Sequence, residues 1–290
     1  MSSQGARLFG LGYRGYEGLR LSPRWAIVAL GVFTIRRVLG LGRGARHKVL
    51  PVVVLLIAFA PALVSVAFAA LLKDIESDQL ISYGEYTFII GSALALFAAL
   101  IAPEALCPDR RSGMLALYLA GPLDRNRYLL AKGSAVYLVM LAMSLGPLLF
   151  MYLAFVVAGF GPSASETPKL LLQILASGLA TGIAYAALSL ATASFTTRRA
   201  VAAVAVILLL LVPDIAVRAA IESGAPDALS LLGMPAVVYE LSYRIFGEAK
   251  PGDTPITRVS TELVLAGFFM WTGLSAAVCW LRYRRIEAFR

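Results

Sequence analysis

Chemistry needs ionisable or nucleophilic side chains at working spacings, and this chain spaces its own in a way that removes most options. The one histidine, His47, stands among basic residues. A zinc hydrolase needs a ligand set such as His-Glu-x-x-His, and a serine hydrolase needs a histidine beside its nucleophile. Neither pattern occurs. An aspartyl dyad needs two carboxylates face to face. Glu104 and Asp214 are the two that approach membrane depth, and the distribution of basic residues puts them at opposite faces. Gly10-x-Gly12-x-x-Gly15 matches a dinucleotide fingerprint, but that motif must follow a strand, and only nine residues precede it. A Gly-Lys dipeptide is also missing, so there is no nucleotide-binding phosphate loop. The expectation is a chain that is not an enzyme and carries no metal or cofactor of its own.

What remains is a basic fence around a greasy segment. Residues 103–133 carry Arg110, Arg111, Arg125, Arg127 and Lys132, yet residues 114–119 are apolar. Guanidinium groups suit phosphates and carboxylates alike. Asp109 is expected to cap a short helix beginning near Arg110, and Gly121 with Pro122 to end it. Asp124 is expected to cap the next helix. Such a short helix is too apolar for open water and too short to cross a bilayer. Its apolar side chains need cover from the membrane interface, from the rest of the chain or from another protein.

The elements that position this stretch are membrane helices. Apolar residues make up 59% of the chain and charged residues 15%. A helical span needs about 20 predominantly apolar residues, and segments 49–72, 86–105, 129–158, 170–195, 201–217 and 261–280 qualify. With both termini in the cytoplasm, 20 of the 26 Lys and Arg fall inside and 12 of the 17 acidic residues fall outside, as the positive-inside rule asks. The net charge of +9 is then mostly topology and contact with anionic lipid, not a nucleic-acid footprint. Cys107 and Cys279 both map near the cytoplasmic face and imply no disulfide framework. Two regions result: a cytoplasmic segment 1–48 and a six-span domain 49–290. Within the first, Ser22-Pro23 reads as an N-cap and first helical residue. The helix runs to about residue 39 and is too short to span, so it is expected to lie in the inner interface. Gly178-x-x-x-Gly182 predicts close packing of the fourth span. Pro213-Asp214 is expected to break the fifth, and Pro235 to interrupt short outer helices at 227–246.

With these elements in place, the string from Glu104 through Arg110, Arg111, Ser112, Gly113, Met114, Leu115, Leu117, Tyr118, Leu119, Pro122 and Arg127 to Lys132 resembles the cytoplasmic loop of ABC-2 type ABC-transporter permeases. The family usually has Ser or Thr where Met114 stands. The six-span plan, the amphipathic N-terminal helix and the short outer helices extend the resemblance over the whole chain. It implies that Arg110 to Leu119 form a coupling helix that docks on an ABC ATP-binding subunit, with Glu104, Pro122, Arg127 and Lys132 positioning the loop. It also implies two copies of that subunit, which bind ATP and Mg, and a second permease chain, identical or paralogous. The membrane would be the plasma (inner) membrane of a prokaryote.

A charge-poor bundle favours a hydrophobic or amphipathic cargo, and the resemblance implies that it is moved outward. Met140, Thr181, Tyr185 and Ser189 are the candidate path-lining residues, with helix packing as their plainer role. A secondary transporter or channel is the alternative, but it usually places ionisable groups at mid-membrane. A membrane scaffold that moves nothing is the other.

Overall fold

The computed structural model describes residues 22–42, 44–71, 81–121, 123–159, 161–248, 252 and 254–286, and these are mostly helical, with no strand among them. The Gly10 motif and Pro122 lie outside the described residues. Among the described residues, helices α2 (Arg46–Leu71), α4 (Gly91–Arg111), α6 (Arg125–Ala158), α7 (Thr167–Ala193), α8 (Arg199–Glu222) and α10 (Thr261–Arg285) are the six long and apolar enough to cross a membrane. The shorter helices are α1 (Pro23–Val38), α3 (Tyr83–Ile89), α5 (Met114–Ala120) and α9 (Met234–Phe246).

Helices α4 and α7 are mostly buried, while α2, α8 and α10 leave most of their surface outward. The centre is therefore α4, α6 and α7, with the other spans leaning on it. Small residues make that centre close. A Cβ added at Gly178 would lie 2.9 Å from Leu145 Cδ1, and one at Gly182 would lie 3.2 Å from the Leu141 Cα. Ser144 Oγ donates to Gly178 O at 2.8 Å across the same seam. The glycine pair thus joins α7 to α6 within one chain.

Helices α1 and α5 sit at one end of the bundle and α9 at the other. Leu30, Thr34 and Val38 face α1's neighbours, while Trp25, Val28, Val32 and Phe33 point away from the protein. An outward apolar stripe at this spacing matches a helix in a bilayer interface. At the far end, Glu248 accepts hydrogen bonds from Ser82 Oγ (2.6 Å) and Gly84 N (2.8 Å). The α3–α4 junction is tight because a Cβ at Gly91 would overlap the Tyr239 ring of α9.

Three local expectations are corrected. Asp109 caps nothing: it lies inside α4, and α5 starts instead from Gly113, a left-handed residue with φ of 71°. Helix α4 runs on to Arg111 because Asp109 has buried cationic partners of its own. Ser22 precedes α1 but makes no capping bond with its side chain, although Pro23 does start the helix. Pro213 sits inside an unbroken α8. A proline removes one N–H bond, and the remaining hydrogen bonds of the helix carry α8 through it. Residues 227–246 form two short helices, a 3-10 turn at Asp227–Leu232 and α9, with the interruption at Gly233 just before Pro235, which sits in the first turn of α9 where a missing N–H costs nothing. The Asp124 cap forms as expected, accepting from Arg127 N at 2.7 Å.

Candidate functional site

The α4–α6 loop is built in layers. Its outer layer is α5. Leu115 is buried, and Tyr118 and Leu119 are half-buried against the bundle. Met114, Leu117 and Ala120, three residues apart on the opposite side, are exposed. Leu117 is 66% exposed. Arg111, Ser112 and Gly113 are exposed at its start. Arg110 turns the other way. Its Nη1 donates to Ser194 O at 2.5 Å and Thr196 O at 3.3 Å, tying the end of α4 to the α7–α8 turn.

Beneath α5 lies an ion cluster. Asp109 and Lys132 are both 0% exposed, with Lys132 Nζ 2.8 Å from Asp109 Oδ2. Lys132 also donates to Ala105 O at 3.1 Å. Arg37 Nη1 of α1 donates to Asp109 Oδ1 at 2.9 Å, and the Tyr128 hydroxyl donates to Oδ2 at 3.0 Å. Arg37 Nε further reaches Glu104 Oε1 at 3.5 Å, and Arg199 of α8 pairs with Glu104 Oε2. A buried charge is tolerated only when paired and hydrogen-bonded, and Asp109 has both oxygens filled. The cluster thereby fastens α1, α4, α6 and α8 at one level.

An aromatic chain connects this cluster to α5 and to α10. Tyr118 and Tyr128 have ring centroids 5.9 Å apart, and Tyr128 and Tyr283 are again 5.9 Å apart. Burial raises the Tyr118 pKa, with the Asp109 charge adding to the rise, so the phenol stays neutral at physiological pH. At the start of α6, Arg125 Nη1 donates to Arg284 O at 2.7 Å and Trp280 Nε1 to Asn126 Oδ1 at 3.1 Å.

The structure therefore brings Glu104 and Lys132 together with Asp109, whereas Arg127 is exposed beside Asp124 at 3.7 Å. Sequence reasoning missed Asp109, Arg37, Tyr128, Arg199 and Tyr283. One signal was available: Tyr128 and Lys132 are four apart on α6 and so share a face. Met140, Thr181, Tyr185 and Ser189 lie elsewhere, buried among the central helices. There the Tyr185 hydroxyl pairs with that of Tyr239 at 2.7 Å, and Ser189 Oγ donates to Ala186 O at 3.0 Å.

A family model described as ABC-2 family transporter protein matches residues 25–225. The chain belongs to the ABC-2 transporter family. The match runs from α1 through α8 and includes α5 and the whole ion cluster. No curated protein matches the chain. Membership makes this a multi-pass membrane permease subunit without ATPase machinery of its own, and it implies an ABC ATP-binding partner.

Proposed function

We propose that this permease subunit exports a hydrophobic or amphipathic cargo and that α5 is where the ATPase pushes. The observation that carries this reading is the exposed stripe of Met114, Leu117 and Ala120 mounted directly on the buried Asp109 cluster. An apolar ridge suits a groove with an apolar floor. Force on α5 reaches α6 through Tyr118 and Tyr128, and α10 through Tyr283.

The complex in this reading holds two ATP-binding subunits, which bind ATP and Mg, and two permease chains. It lies in a prokaryotic plasma membrane with the α5 end and both termini in the cytoplasm. Outward transport is the direction that the family resemblance implies, and Met140, Thr181, Tyr185 and Ser189 line the path only if the central helices part.

The test is Leu117→Asp in the reconstituted complex. The residue is exposed, so the subunit should fold and insert normally. A carboxylate in an apolar docking groove costs its desolvation, so ATPase binding and ATP-driven transport should both be lost. Transport at the parent rate would overturn the docking role of α5.

A further inference from the structure

Beside α5 the same end of the molecule holds a second feature, a cleft of about 1080 Å³. Its walls are the end of α1, the end of α4 and the first turn of α8, and it is lined by Arg37, Arg111, Arg198 and Arg199 with Ser112 and Thr197. Four guanidinium groups in one concavity repel each other unless anions are present. The nearby carboxylates are already engaged: Glu104 by Arg37 and Arg199, and Asp109 by Arg37 and Lys132. Arg111 and Arg198 are exposed, and neither makes an ion pair among the described residues. The first turn of α8 adds N–H groups with no side-chain cap, and a helix start favours an anion.

We infer that this cleft binds the phosphate headgroup of an anionic membrane phospholipid. Arginine matches phosphate oxygens with paired N–H donors, and the volume exceeds what a bare ion fills. Its position selects the lipid source. Both flanking helices leave the cleft straight into bilayer-facing surface: Phe33 and Val32 of α1 on one side, Val201 and Val204 of α8 on the other. A phosphate held by Arg111 and Arg198 therefore has somewhere apolar to lay its acyl chains. The inference is independent of transport, because the lipid is held whether or not α5 engages an ATPase.

The full-length chain, purified without ATPase in a zwitterionic detergent micelle, should retain added phosphatidylglycerol in native mass spectrometry and should not retain phosphatidylcholine. The double variant Arg111→Gln/Arg198→Gln should weaken phosphatidylglycerol retention by about 25-fold, since each such contact is worth roughly a factor of five. Thr197→Glu keeps every arginine and is on an exposed turn, so it should fold and yet show the same loss. Equal retention by parent and both variants overturns the assignment. So does displacement of the lipid by millimolar inorganic phosphate, which would mean a soluble-anion site. Displacement by the ATPase subunit at stoichiometric concentration also overturns it, because the cleft would then belong to the docking surface.

Discussion

At the residue scale, Asp109 decides how the end of α4 behaves. It is the one acceptor shared by Arg37, Tyr128 and Lys132, and water does not reach it. Asp109→Asn leaves Lys132 buried without a counter-charge, so it should destabilise the subunit by about 3–5 kcal/mol. The readout is the midpoint of thermal unfolding in detergent. Adding Lys132→Met to Asp109→Asn should recover much of the loss, because an apolar replacement removes the orphaned ammonium. A double variant no better than the single one would show that the pair does more than neutralise itself. Tyr128→Phe is milder, removing one hydrogen bond worth about 1 kcal/mol while keeping the stack between Tyr118 and Tyr283.

At the element scale, the α6–α7 seam depends on the absence of side chains. Gly178→Leu pushes against the Leu145 backbone, where the Cβ alone would come within 3.2 Å of the Cα. Overpacking of this kind costs about 1–3 kcal/mol, and a lower thermal midpoint is the expected result. This seam was legible, since small residues four apart on an apolar run mean close helices. So were the six spans and the helix at 23–38, because length and apolar content decide them. The start of α5 was not. Asp109 satisfies every local rule for an N-cap, and only tertiary partners 72 and 19 residues away in sequence reveal its use. Pro213 misled because one proline removes a single N–H bond, which a long apolar helix tolerates without breaking. Within the loop, the residues of one side of α5 were foreseeable in kind, but not that Arg110 turns inward to the α7–α8 turn.

At the scale of the whole molecule, orientation is open to a direct check. A cysteine at Ala29 on α1 should resist an impermeant thiol reagent added outside intact cells, and one at Ser165 in the α6–α7 turn should react. The native Cys107 and Cys279 are buried and should stay silent. The reverse pattern would invert the molecule. The ion cluster also has a mechanical consequence. It clamps α6 near its first turns, at Tyr128 and Lys132, and the helix then runs on to Ala158. That length is about 39 Å at 1.5 Å per residue, and α7 is seamed to it at Leu141 and Leu145. Each degree of tilt at the clamp swings the far tip by about 0.7 Å. In the reading proposed for α5, α6 and α7 tilt together as one seam, and a few degrees at the clamp become a few ångströms at their far end.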